Sequence, residues 1–402
     1  MYTQLLSRKL DALKGNGNYR YFLEVNRSAQ HFPRFQYTGA EGQSRSAVTW
    51  CSNDYLGMST EEEVISRATF VAHRSGAGSG GTRNISGTTN HHRELELTSA
   101  TWHQQETALL FNSAYNANIT ALMTLGRHIP ELIFISDERN HASLIEGMRA
   151  AGNPRRIFRH NDLNHLETLL AAIPPTVPKI IVLESVYSIK GTVTDLRAIQ
   201  NLAVTYNALT YVDEVHAVGL YGQTGAGQIE SQGLSGKFDL VNGTLSKAIG
   251  CFGGYISGSA LLIDFIRSFG PGFIFTTSLP PALCAAARKS IEILIREPER
   301  REQFHRQVAD VRLSLQAHGI PFIPNESHIT AIPVGDATLC KAVADRLLQH
   351  HGIYLQPINH PTVPVGEECL RLIITSRHLP KHINHLIYAL QQCLVPTTMI
   401  PA

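Results

Sequence analysis

The chain has 402 residues, 43% hydrophobic and 17% charged, with a formal net charge of +2. That length supports more than one hydrophobic core, and so small a charge excludes a nucleic-acid or membrane partner held by bulk electrostatics. Six cysteines (Cys51, Cys251, Cys284, Cys340, Cys369 and Cys393) show neither a CxxC pair nor metal-ligand spacing. Free thiols in a reducing, cytoplasmic compartment are therefore expected, with no metal and no disulfide framework. The opening MYTQLLSRKLDALKGNGNYRYF has apolar residues at helical spacing without the continuous run of a signal peptide. Nowhere do the roughly 18 apolar residues of a membrane span run together, so a soluble protein is expected.

Residues 1 to about 50 read as an amphipathic helix and a polar arm with little core of its own, in which G-N-Y-R-Y-F sets Arg20 beside two aromatics. The following T-W-C-S-N-D-Y-L-G-M, Thr49 to Met58, predicts a tight turn at its Ser-Asn-Asp cluster. Gly76 to Thr89 (GAGSGGTRNISGTT) is too rich in glycine for a helix or central strand, and it lacks the G-K-[ST] of a phosphate loop. Beyond it, helical and apolar segments alternate as α/β units do. HHRELELTSATWHQQ is helical and ETALLF strand-like, and Ser113, Ala114 and Tyr115 open a further helix whose backbone amides suit a phosphate. Leu132 to Ser136 predicts a strand followed by D-E-R-N-H, in which the flat ring of His141 suits stacking. Lys179 to Glu184 predicts another strand, whose continuation S-V-Y-S carries Ser188 to the same edge.

The chemistry concentrates between Asp213 and Lys247. The apolar run Ala208 to Val212 ends in Asp213, with His216 three residues on; a second run, Asp239 to Gly243, ends in Thr244 and Lys247. Two strands handing polar side chains to their carboxyl ends are what an open α/β sheet offers a ligand. A lysine amine that can tether an aldehyde, and a carboxylate that can pair with a pyridinium nitrogen, suit pyridoxal 5'-phosphate. Taken alone, the same pair also reads as a strand cap and a surface lysine. Further on, G-F-I-F-T-T-S-L-P-P places Thr276 and Thr277 at a predicted strand end, suited to phosphate oxygens. From about residue 290 the composition turns to charged helix, giving an expected division into an arm (1–48), a large cofactor-binding domain (49–290) and a small C-terminal α+β domain (291–402).

D-E-V-H-A-V-G-L-Y-G and G-T-L-S-K-A-I-G-C-F-G-G, in that order, resemble the α-oxoamine synthases, pyridoxal-phosphate acyltransferases of fold-type I. The resemblance implies a large domain with a mostly parallel sheet flanked by helices, and a homodimer with active sites at the subunit interface. It assigns Lys247 the cofactor and then a proton from the substrate's α-carbon, Asp213 the ring nitrogen, His141 the stacking face, and His216 the phenolic oxygen. It sends Thr276 and Thr277 to the partner subunit's cofactor phosphate. GTRNISG and YLQPINxPTVP are similar to the members that condense glycine with succinyl-CoA and release carbon dioxide, supplying tetrapyrrole (heme) synthesis. For those, Arg371 would fork the glycine carboxylate in a way that Lys cannot reproduce, near Asn53. Arg20, with Thr82, Asn84 and Thr362, would meet the succinyl carboxylate, Ser136 would touch substrate, and Arg155 would face the CoA phosphates. This chain departs from the family at Cys369, Ile373 and Ile374 around Arg371, and at Lys190. Those departures leave two alternatives open: a secondary-metabolite pathway, or a member using another amino acid or acyl-CoA.

Overall fold

The structure, a computed structural model, describes residues 1–39 and 41–394. The chain divides into two compact units. One comprises Met58–Ser188 and Thr192–Glu302; the other comprises Met1–Gly57, Ile189–Gly191 and the chain from Gln303 onward.

The larger unit is built on a seven-stranded sheet. Its order is Thr107–Phe111, Gly254–Gly258, Leu240–Thr244, Leu209–Asp213, Lys179–Glu184, Ile133–Asp137 and Arg155–Phe158. Gly254–Gly258 runs antiparallel to both neighbours, and the other pairings are parallel. Both faces are covered, which is why K-I-I-V-L-E reads as continuous rather than alternating apolar sequence. Ile180 and Val182 pack on one face with Ala117, Ala121 and Leu125 of the helix Ala114–His128. Ile181 and Leu183 pack on the other with Leu166, Leu170, Leu196 and Ile199, from the helices Leu163–Ala171 and Leu196–Thr205. Parallel strands between two helical layers put all their carboxyl ends on one edge. There the register sets Glu184 beside Asp213 and Asp213 beside Asn242.

The smaller unit holds a three-stranded sheet containing Cys369–Leu372 and a four-stranded sheet containing Arg34–Thr38 and Ser44–Thr49. The sequence places boundaries at 48 and 290, whereas in this division the first 57 residues share a unit with the chain from Gln303 onward. Val48 and Thr49 pair in parallel with Ile353 and Tyr354, and Phe35, Tyr37 and Ala47 form a small core with Leu348 and Tyr354 packed on it. The arm therefore has a core, made by a pairing some 300 residues distant in sequence. A correction concerns GFIFTTS, which is no strand. Pro271–Ile274 is a short helix with proline in its first turn, where the missing N–H costs nothing, and Thr277 makes only an isolated bridge with Thr82.

Candidate active site

Asp213 ends its strand with a buried carboxylate. It accepts the Val215 N–H at 2.8 Å and the Asn118 side-chain amide at 2.7 Å. Asn118 faces the sheet because it lies one turn into the helix Ala114–His128. Its other contacts lock its orientation: it donates to Ser143 Oγ at 2.9 Å, and its Oδ1 accepts from the Tyr211 hydroxyl at 2.7 Å and from the Asn242 amide. The Asp213 carboxylate is thereby fixed by neutral donors, a geometry that survives a change of charge nearby.

Lys247 follows the strand Leu240–Thr244 in a turn closed by Gly250 N–H on the Lys247 carbonyl at 2.8 Å. Its Nζ lies 2.6 Å from His216 Nε2. Thr244 Oγ1 lies 2.9 Å from Ser246 Oγ. His141 caps the helix Ala142–Ala151, with Nδ1 accepting the Ser143 N–H at 3.2 Å. Its own N–H is donated to Glu184 Oε1 at 2.6 Å. Burial holds the His141 ring below the ordinary imidazole pKa; the Lys247 charge adds to this and the Asp213 charge opposes it. Both charges therefore reach that ring. Ser113 caps the helix Ala114–His128 by accepting the Asn116 N–H at 3.0 Å, leaving the amides of Ala114 and Tyr115 at a helix N-terminus. Gly254 runs directly beneath, where a Cβ would lie 2.2 Å from Ala114 N.

In the smaller unit, the strand residue Arg371 donates to Asn53 Oδ1 at 3.2 Å and to the Tyr55 hydroxyl at 3.3 Å. Arg20 donates to Thr362 Oγ1 at 3.0 Å. Cys369, Ile373 and Ile374, the departures around Arg371, are all buried. Lys190 pairs with Glu367 at 2.7 Å.

The remaining expected residues make other contacts. Thr82 donates to Asn84 Oδ1 at 2.7 Å, and Thr276 donates to the Gly272 carbonyl at 2.8 Å. Ser136 is buried, accepting from the Asn140 amide at 2.9 Å. Ser188 is the last residue before Ile189–Gly191. Arg155 begins the edge strand in register with Phe134, so it sits at the amino end of the sheet, opposite Asp213. Arg83, between Thr82 and Asn84, is taken up by a bidentate pair with Glu96 at 2.7 and 3.0 Å. Sequence reading missed Glu184, Asn118 and Tyr55. Glu184 carries the same signal as Asp213, an acid closing an apolar run.

Residues 45–390 match the family described as aminotransferase class I and II. The 5-aminolevulinate synthase of Paracoccus denitrificans is 47% identical over 391 residues, covering 97% of this chain and 96% of the relative. That of Rhodobacter capsulatus is 46% identical over 393 residues, with the same two coverages. The chain belongs to the 5-aminolevulinate synthases. Among solved structures, a serine palmitoyltransferase from S. paucimobilis with a bound PLP-myriocin aldimine superposes with a TM-score of 0.88 at 28% identity, covering 96% of each chain. The 5-aminolevulinate synthases, like that transferase, are fold-type I enzymes, and the antiparallel strand within a parallel sheet is present here. The residues at this edge fit pyridoxal phosphate on chemistry alone: an amine, a fixed buried carboxylate, a ring face, and a helix N-terminus whose crossing strand carries no side chain at Gly254.

Proposed function

We propose that Lys247, Asp213, His141 and His216 carry the 5-aminolevulinate synthase reaction, with Arg371 and Arg20 selecting its substrates. Glycine and succinyl-CoA give 5-aminolevulinate, CoA and carbon dioxide, and the product supplies tetrapyrrole (heme) synthesis. The observation that carries the assignment is the Lys247 amine held 2.6 Å from His216, on the edge where Asp213 is fixed. Bound there, pyridoxal phosphate supplies an aldehyde for an amine and an electron-poor ring that weakens bonds at the adjacent carbon.

Each residue has a separable task. Lys247 tethers the cofactor and, once released, Nζ takes the proton from the glycine α-carbon. With the cofactor bound, the Asp213 carboxylate would pair with the ring nitrogen and keep it protonated. His141 would cover a ring face and His216 would hydrogen-bond the phenolic oxygen. The Ala114 and Tyr115 amides with the Ser113, Ser188 and Thr244 hydroxyls would receive the phosphate end. Arg371 forks the glycine carboxylate beside Asn53, while Arg20 and Thr362 receive the succinyl carboxylate. The α-carbon then attacks the thioester, CoA leaves as the thiol with the proton that Nζ had taken, and the former glycine carboxylate leaves as carbon dioxide, replaced on that carbon by a proton from solvent.

The enzyme is a cytoplasmic homodimer in this reading. Thr82, Asn84, Thr276 and Thr277 lie together around the Thr82–Thr277 bridge. Their use by a partner's site supplies what they do not offer Lys247 in their own chain. Among the described residues no helix is long and apolar enough to cross a membrane. Burial of Cys369, Ile373 and Ile374 supports the glycine–succinyl-CoA reading over another substrate pair, since the departures point into the core. Mass spectrometry of the product from glycine and succinyl-CoA tests the reading. It expects 5-aminolevulinate, and a faster reaction with alanine, serine or a neutral acyl-CoA would overturn it.

A further inference from the structure

Two neighbouring strands deliver buried acids to the same edge. Glu184 and Asp213 are register partners, 3% and 5% exposed. Their hydrogen bonds differ: Asp213 is held from two sides by Val215 and Asn118, whereas Glu184 Oε1 accepts the main-chain N–H of His141 at 2.6 Å. That peptide is the one that starts the His141 helix, where Nδ1 of the ring already accepts from Ser143. Glu184 therefore grips the backbone of the residue whose ring both Asp213 and Lys247 reach.

The charged and titratable groups around Glu184 come from every neighbouring element. Asp213 lies on the adjacent strand, Asp137 on the strand at its other side, Lys247 in the turn after Thr244, and Tyr187 and His141 in the flanking loops. Two adjacent carboxylates in an apolar interior do not both stay ionised without a large penalty, and the better-solvated one keeps the charge. Asp213 has two donors and Glu184 has one charge-assisting peptide. Burial first, and then the Asp213 charge, push Glu184 well above the usual carboxylate range; the His141 N–H and Lys247 oppose this and Asp137 adds to it.

We propose that Glu184 is a positioning residue that works as a neutral acid, holding the His141 backbone in place while leaving Asp213 the single carboxylate charge facing the cofactor's ring nitrogen. The proposal rests on the placement of the cofactor between Asp213 and His141 argued above. Its structural consequence is that shape and an acceptor oxygen matter at position 184, and charge does not. Glutamine has both without the charge; alanine has neither.

The test compares the wild type with Glu184→Gln and Glu184→Ala. Infrared spectra of the cofactor-free protein at pH 7.5 are expected to show a protonated-carboxyl component that is lost in Glu184→Gln, beside the smaller one that Glu214 contributes in both proteins. In the loaded enzyme, Glu184→Gln is expected to keep kcat within about threefold and to leave the pH midpoint of the cofactor absorbance in place, while Glu184→Ala loses at least about tenfold in kcat. A wild-type spectrum identical to that of Glu184→Gln, or a midpoint displaced by a full pH unit in Glu184→Gln, overturns the proposal. Because the infrared measurement uses protein without cofactor or substrate, its failure is separate from a failure to make 5-aminolevulinate.

Discussion

At the carboxyl edge of the large sheet, the polar groups sit on strand ends that the core immobilises: Asp213, Glu184 and Thr244 are all buried. The arginines of the smaller unit are presented differently. Arg371 is partly exposed and donates to the neutral oxygens of Asn53 and Tyr55, and Arg20 is exposed and donates to Thr362. In the proposed assignment, the contrast follows from what each region has to do. Proton transfer and ring stacking need fixed positions, which buried strand ends supply. Substrate carboxylates arrive and leave, and a guanidinium resting on neutral acceptors gives them up at little cost. Arg83 marks the limit of the argument. It lies within the glycine-rich motif, yet its bidentate bond to Glu96 makes it part of the scaffold. An arginine's partner, more than its motif, decides its role.

The largest effect expected from this contrast is at the fixed edge. Lys247→Ala removes both the tether and the base, so turnover falls by about a thousandfold or more and the cofactor's protein-bound absorbance is lost with it. A variant retaining either in full breaks the distinction between the edge and its surroundings. Next comes Arg371→Lys, which keeps the charge but not the fork. The KM for glycine should rise by about 10–100-fold, the worth of one or two charge-assisted hydrogen bonds, with kcat changing less. An equal loss in kcat would move Arg371 from the substrate-holding group to the fixed one.

Much of the fixed edge was legible in the sequence, because parallel strands buried on both faces leave unbroken apolar runs and their last residues are polar. The runs ending in Asp213 and Thr244 were displaced by a single residue from the observed Leu209–Asp213 and Leu240–Thr244. Asn118 was not legible: it is one of several buried polar residues of its helix, with Thr120 and Thr124, and nothing singles it out until the helix is docked. The smaller unit was legible only as a change of composition, since its assembly depends on Val48 meeting Ile353, and no local pattern encodes that pairing. GFIFTTS was misread because aromatic and β-branched residues favour strands, while the preceding Pro271 sets a helical first turn.

Acid should separate the two units. In the larger one, burial pushes His92 and His103 each down to about 4, while Glu214 is pushed up to about 7 and Glu184 well above the usual carboxylate range, chiefly by burial. In the smaller one, His378, stacked on Trp50 at 3.7 Å, is pushed down to about 3 by burial. A histidine whose folded pKa is depressed contributes stability that is present above about 6.5 and is lost as the pH falls towards the folded value. A carboxyl whose folded pKa is raised does the reverse, adding stability as the pH falls from about 7 towards 4.5. From pH 7 to 5 each histidine costs about 2 kcal/mol and Glu214 returns about as much. The two raised carboxyls of the larger unit, Glu214 and Glu184, thus work against its histidines, and among the described residues no raised carboxyl does the same for His378. Hydrogen-exchange protection, corrected for intrinsic rate, should fall at Cys369–Leu372 and hold at Lys179–Glu184; equal loss in both would remove the difference.

The smallest effect concerns Arg20. Its guanidinium is exposed, and its hydrogen bond to Thr362 is to a neutral hydroxyl, so its attraction for a carboxylate is screened by water and salt. Removing it should cost about tenfold in kcat/KM for succinyl-CoA, roughly 1.4 kcal/mol. The informative quantity is a ratio. Arg20→Leu removes a cation and adds an apolar surface, so a neutral acyl-CoA of similar length should be used as well as before or better, and preference should narrow by at least the same tenfold. The wild type's advantage with succinyl-CoA should also shrink with added salt, because the contact it reports is made in solvent. If both acyl-CoAs lose equally, Arg20 acts by holding the arm through Thr362, and it then belongs with Arg83 among the scaffold arginines.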